Sequence, residues 1–109
     1  MEEKLRKLRE FLAMDTELPF AEFEAFYRDV TRDLQENYGE MSQSDRIRAG
    51  YICEIIGGNA ESRIRKNKTY AKPFRKMAAK SRFWQEAIQS RLRKEGVGDE
   101  EITALLEQA

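Results

Sequence analysis

The 109-residue sequence contains no histidine and only one cysteine, Cys53. Histidine is the commonest general base and the commonest metal ligand in proteins, so its absence removes the side chain most used for both tasks. A single cysteine cannot form an internal disulfide, and zinc sites are rarely built without cysteine or histidine ligands. We therefore expect no metal and no cofactor, a reducing compartment, and a structural role for Cys53 as a small core residue.

Long apolar runs are also missing. No stretch approaches the roughly 18 apolar residues that cross a bilayer. The first twelve residues, MEEKLRKLREFL, are charged throughout and lack the apolar segment of a signal peptide. These absences predict a cytoplasmic protein that is not embedded in a membrane.

The motifs of the common enzyme families are absent too. The sequence has no glycine-rich phosphate-binding loop, no G-x-S-x-G nucleophile turn and no H-E-x-x-H zinc motif. An acidic pair at Asp33 and Glu36 has no matching pair on a neighbouring predicted helix. We therefore predict a protein that is not an enzyme.

Proline and glycine are scarce, with two and six residues, which favours long helices with few breaks. Apolar residues recur at spacings of three and four, the pattern of amphipathic helices. We predict an all-α fold: a single-domain bundle of five or six helices over residues 1–109. The predicted helices cover about residues 3–13, 19–38, 43–57, 60–71, 73–95 and 99–106.

The predicted helix near 43–57 differs from its neighbours because apolar residues cover more than half of its circumference. Such a helix is typical of a buried position, so we expect it to be the central helix of the fold. Ser42 and Asp45 resemble a capping box at its start. Gly50 and Gly57 lie seven residues apart on one side and would let another helix approach closely. Gly57-Gly58-Asn59 is predicted to end this helix and to start the next one.

Charge is distributed unevenly along a chain whose net charge is zero. Residues 62–94 hold 12 of the 20 basic residues and one acid, Glu86. The flanking segments are acidic, so the basic stretch 62–94 is expected to meet a negatively charged partner.

The second half of the basic stretch carries two apolar lines. We expect one line to pack in the core; it comprises Phe74, Met77, Ser81, Trp84, Ile88 and Leu92. Phe83 lies on the other side of the helix with Ala79 and Ala87, so the helix is expected either to be sandwiched between two layers or to carry an interaction surface there. The predicted partner-binding residues are Arg63, Arg65, Lys66, Lys68, Arg75, Lys76, Lys80, Arg82 and Phe83.

A row of acidic residues on the predicted second helix provides a complementary surface. The row lies opposite the apolar face of that helix and comprises Glu22, Asp29, Asp33 and Glu36. Because the row lacks histidine and faces away from the core, a solvated docking face is a better interpretation than a metal site.

Three classes of function remain open, and the third is an enzyme of an all-helical family whose motif is not visible in the sequence. The first is a small non-enzymatic protein-interaction or assembly module, in which the basic stretch meets an acidic face of a second copy (a homodimer) or of a different protein. The alternative is nucleic-acid binding through the same stretch, in one form through a helix-turn-helix-like unit over residues 45–68.

Overall fold

The computed structural model describes residues 1–108, which form five α-helices. In chain order these are α1 (Glu2–Leu12), α2 (Phe20–Asn37), α3 (Gln43–Lys66), α4 (Ala71–Lys94) and α5 (Asp99–Glu107). One turn of 3-10 helix, Tyr38–Glu40, lies between α2 and α3. No strand occurs within residues 1–108, and the predicted all-α fold is confirmed.

The hydrophobic core is built around α3. This helix contacts each of the other four helices, and its side chains at Ile47, Ile52, Cys53 and Ile56 are buried. A helix with neighbours on most sides must be apolar around most of its circumference. The predicted burial of the central helix is therefore confirmed.

Helices α3 and α4 form an antiparallel pair joined by a short turn at residues 67–70. Gly57 of α3 faces Ser81 of α4, and two turns earlier Gly50 faces Ile88. The two glycines let the backbones approach closely, as the sequence predicted. This pair is the structural frame that presents the basic residues.

The predicted break at Gly57-Gly58-Asn59 is wrong, because α3 continues through it to Lys66. Both glycines keep a negative φ, and Asn59 donates from Nδ2 to the carbonyl oxygen of Ile55 instead of capping a new helix. A glycine inside a helix costs about 1 kcal/mol, and of the two glycines only Gly57 packs against α4, opposite Ser81. Residues 45–68 therefore do not form a helix-turn-helix unit.

The turn between the two helices spans residues 67–70, a few residues before the break that was predicted between the helices 60–71 and 73–95. It begins at Asn67, whose Oδ1 accepts a hydrogen bond from the backbone N–H of Tyr70. Pro73 falls in the first turn of α4, where a missing N–H leaves no helical hydrogen bond unmade. The basic stretch thus consists of the last turn of α3, this short turn and the whole of α4.

The helix ends that the sequence marked are formed as expected. Ser42 caps α3 by accepting a hydrogen bond from the N–H of Asp45 at 3.1 Å. At the end of α4, Gly96 has φ +77°, and the N–H of Val97 donates to the carbonyl oxygen of Leu92 at 3.0 Å. These are the features of a Schellman motif, which turns the chain towards α5.

Candidate functional site

The two apolar lines of α4 lie on opposite sides of the helix, as predicted. On the inner side, Phe74, Met77, Ser81, Ile88 and Leu92 are buried, and Trp84 is half-buried. On the outer side, 60% of Phe83 is exposed. It is the most exposed of the large hydrophobic side chains within residues 1–108. The candidate site is therefore centred on Phe83.

The neighbours of Phe83 along the helix form a line that we call the outer stripe. Its members follow one another at intervals of three or four residues, so they share one side of α4. The centre of the stripe is apolar and both ends are basic. The outer stripe comprises Lys72, Lys76, Ala79, Phe83, Ala87, Ser90 and Lys94.

The ring of Phe83 rests on its neighbour Trp84. The two ring centroids are 5.5 Å apart with the planes at 77°, an edge-to-face contact, and Trp84 in turn contacts the ring of Tyr38 at 5.5 Å. Edge-to-face aromatic pairs are favourable by about 1 kcal/mol. The exposed ring is therefore held against the fold, which reduces the entropy that a partner's binding would cost.

Most of the predicted cations near the turn and in the first half of α4 are free of internal ion pairs. Arg65, Lys68, Arg75 and Lys76 are exposed, and Lys80 is half-buried. Among residues 1–108, none of these five forms a salt bridge. Their charges are available to a partner.

Three other predicted cations are occupied by contacts within the chain. Lys66 lies 3.6 Å from a carboxylate oxygen of Glu17, and Arg82 pairs with Glu61. Arg63 has a side chain that is only 11% exposed, and its guanidinium lies over the ring of Phe23 at 5.1 Å. Arg63 is thus a structural arginine rather than part of the exposed basic surface.

In the acidic row on α2, two carboxylates pair with a lysine of α1 and two do not. The ammonium group of Lys4 on α1 lies 3.7 Å from a carboxylate oxygen of Asp29 and 3.4 Å from one of Asp33. Glu22 and Glu36 are exposed and form no salt bridge within residues 1–108. Sequence reasoning missed Lys4 because no local pattern connects α1 with α2; only their packing brings the charges together.

The environment of Asp33 shows the effect of this pairing on its carboxyl group. Partial burial raises its pKa, but the hydrogen bond from Asn37 at 2.8 Å and the charge of Lys4 outweigh that effect. The pKa of Asp33 is therefore lower than its ordinary value, so the middle of the row is a stable internal ion pair.

The described residues lack two features that would indicate other types of site. Within residues 1–108, no three side chains of histidine, cysteine, aspartate or glutamate are grouped so that they would hold a metal ion. In the same part of the chain, none of the helices combines the length and the apolar character needed to cross a membrane.

Comparison of the chain with protein families, with curated proteins and with solved structures found no similar family, protein or fold.

Proposed function

We propose that this chain is a non-enzymatic protein-interaction module whose outer stripe on α4 binds an acidic partner. The observation that carries the proposal is the exposure of Phe83, an aromatic residue at the centre of a helix face that is basic at both ends. Aromatic residues that enter a pocket of the partner supply much of the affinity of protein interfaces. The surrounding lysines add orientation and speed of association through their charge.

The spacing of the stripe indicates the form of the partner surface. Lys72 and Lys94 lie 22 residues apart, which corresponds to about 33 Å along a helix. A partner helix or groove of that length, with an apolar pocket at its centre and carboxylates towards its ends, would match both features. We therefore favour a different, acidic protein over a second copy.

Charge argues against a dimer in which two outer stripes pair antiparallel about Phe83. That arrangement would place Lys72 opposite Lys94 of the second copy, and the stripe itself contains no acid to separate them. A dimer between the stripe and the acidic row of a second copy has fewer available charges, because Lys4 already pairs with Asp29 and Asp33.

Nucleic-acid binding is the second candidate, and a separate observation favours it. Tyr70 is 38% exposed at the turn between α3 and α4, close in sequence to the unpaired cations Arg65, Lys68 and Arg75. Exposed aromatic rings among cations are suited to stacking on the bases of a single strand. The turn region, rather than Phe83, would then be the centre of the site.

Site-specific photo-crosslinking tests the main proposal. A crosslinking amino acid replaces Phe83 or, as the control, Gln89, which is exposed on another side of α4. The proposal expects an acidic protein to be crosslinked from position 83 and not from position 89. Equal yields from the two positions, or crosslinks from position 83 only to nucleic acid, would contradict it.

Binding measurements complete the test; they use the purified partner protein that crosslinking identifies, without the crosslink. We expect Phe83→Glu to weaken the affinity at least tenfold, while Gln89→Glu, which adds the same charge elsewhere on α4, changes it less than twofold. If binding instead falls steeply with salt for a single-stranded oligonucleotide, and Arg75→Glu with Lys68→Glu abolishes it, the second candidate is supported.

A further inference from the structure

A second feature of the molecule shares no residue with the outer stripe. A cavity of about 270 Å³ lies between α1, the loop 13–19, α2 and α3 and is open to solvent. Its apolar side is formed by Leu8, Phe11, Phe23, Phe26, Ile55 and Ile56, and it is also lined by the polar residues Asp15, Thr16, Glu17, Asn59 and Arg63. A ligand therefore has access to the apolar side chains from solvent.

The rim of the cavity exposes further apolar surface. Leu12 and Met14 are 50% and 45% exposed, and both line the cavity. They are two of the four large hydrophobic side chains that are exposed within residues 1–108. An apolar ligand in the cavity would remove part of this surface from water, which is favourable by about 25 cal/mol per Å².

A charged group marks one end of the cavity. Arg63 lines it, and one N–H of its guanidinium donates to the carbonyl oxygen of Leu18. Within residues 1–108 this is the guanidinium's only hydrogen bond, and its nearest carboxylate is that of Glu17 at 3.5 Å. A partly buried arginine whose carboxylate partner lies at this distance is suited to a closer contact with a planar anion.

The chain itself shows how a carboxylate approaches this position. Glu17 places its carboxylate between two cations, 3.5 Å from a guanidinium nitrogen of Arg63 and 3.6 Å from the ammonium of Lys66. Both distances exceed the roughly 2.8 Å of a charge-assisted hydrogen bond. Glu17 is also 61% exposed, so its ion pair with Arg63 contributes little to stability. A carboxylate closer to Arg63 would displace Glu17 at a small cost in free energy.

From the apolar wall, the exposed rim and the arginine we propose that this cavity is a binding site for a medium-chain carboxylic acid. The alkyl chain lies among the apolar side chains, and the carboxylate replaces that of Glu17 on Arg63. An apolar cavity of about 150 Å³ holds benzene, so this one has room for a chain of roughly eight to ten carbons. The site does not depend on the outer stripe.

Calorimetric titration with decanoate, below its micelle concentration, tests the proposal. Decanol and decyltrimethylammonium are the controls, because they have the same chain with no charge or with the opposite charge. We expect decanoate to bind at least tenfold more tightly than either control. If decanol binds as tightly as decanoate, the proposed recognition of a carboxylate by Arg63 is wrong. If decanoate does not bind at millimolar concentration, the cavity is not the proposed binding site.

Three variants at exposed positions test the location without disturbing the core. Glu17→Gln removes the competing carboxylate and is expected to strengthen decanoate binding about threefold to tenfold. Asp15→Asn, at another acid on the cavity, is expected to act in the same direction with a smaller effect. Asn59→Trp places a large ring at the cavity and is expected to weaken binding at least tenfold.

Methyl resonances provide a readout that is independent of affinity. Decanoate is expected to shift the methyl signals of Met14 and Ile55, which line the cavity, and to leave Met41, which does not, unchanged. Shifts at Met41 with none at Met14 or Ile55 would place the ligand elsewhere and overturn the proposal.

Discussion

A side chain at position 50 would meet Ile88 directly. A Cβ carbon built on Gly50 lies 3.1 Å from Cγ2 of Ile88, a side chain that is fully buried and cannot move aside freely. By contrast, a Cβ carbon on Gly58 in the same helix meets nothing within 4 Å. Gly50 and Gly58 therefore have different physical roles.

This difference predicts opposite effects of the two substitutions. Gly58→Ala is expected to raise the free energy of unfolding by about 0.5–1 kcal/mol, because alanine favours a helix over glycine. Gly50→Leu is expected to lower it by about 1–3 kcal/mol through overpacking against α4. Urea unfolding measures both. A Gly50→Leu variant as stable as the wild type would contradict the close approach of the two helices.

Arg46 is the second position where packing decides the outcome. Its side chain is buried, donates to the carbonyl oxygens of Tyr38 and Gly39 at 2.9 and 3.2 Å, and lies 3.7 Å from Glu95. We expect Arg46→Ala to lower the free energy of unfolding by about 2–4 kcal/mol, because buried acceptors lose their donor.

The control for Arg46 is the same substitution at Arg32, which is exposed and forms no salt bridge within residues 1–108. Arg32→Ala is expected to change stability by less than about 0.5 kcal/mol. Equal effects of the two substitutions, measured by chemical denaturation, would show that Arg46 has no special role.

The ion pair of Asp33 and Lys4 predicts a pH dependence. The folded pKa of Asp33 lies below its unfolded value, which is near 3.9. The resulting stabilisation is present above that value and is lost as the pH falls through the folded pKa. Lys4→Met is therefore expected to destabilise by less than about 1 kcal/mol at pH 7 and to have little effect near pH 2.

Unfolding free energies of the two proteins at several pH values measure this effect. Lys94→Met is the control, because Lys94 is exposed and forms no salt bridge in the described residues. A Lys4→Met effect that stays constant from neutral to acid pH would assign it to lost packing rather than to the charge of Asp33.

Burial also predicts the reactivity of Cys53. Removal from water raises the pKa of its thiol from 9.0 to about 12, so the thiolate is about a thousandfold scarcer near pH 8 than in an exposed cysteine. We expect reaction with a disulfide reagent to be slower by at least that factor in the native protein. In denaturant the reaction should reach the rate of a free thiol. Rapid modification without denaturant would indicate local opening around α3.

Much of the fold is predictable because helices follow local rules. The spacing of apolar residues in α4 separated the buried Phe74 and the half-buried Trp84 from the exposed Phe83, and Ser42 was predicted to cap α3. The break at Gly57-Gly58 was predicted wrongly, since the helix preference of a glycine depends on what packs against it. The sequence shows two glycines; it does not show that Ser81 lies opposite one of them.

The candidate site was also predicted only in part from the sequence. The list of basic residues was available from the sequence, but their availability to a partner was not. Arg63, Lys66 and Arg82 contact acids within the chain, whereas Arg65, Lys68 and Arg75 form no salt bridge in the described residues. Charge composition cannot distinguish these groups, because each pairing joins residues that are far apart in sequence.

By itself, then, the sequence determined the helical class, the central position of α3 and the two faces of α4, since periodicity along a helix is a local property. The tertiary structure decided where α3 ends, which charges remain free and where the cavity beside Arg63 lies. These depend on distances between helices, and such distances are set by the packing of residues that are remote along the chain.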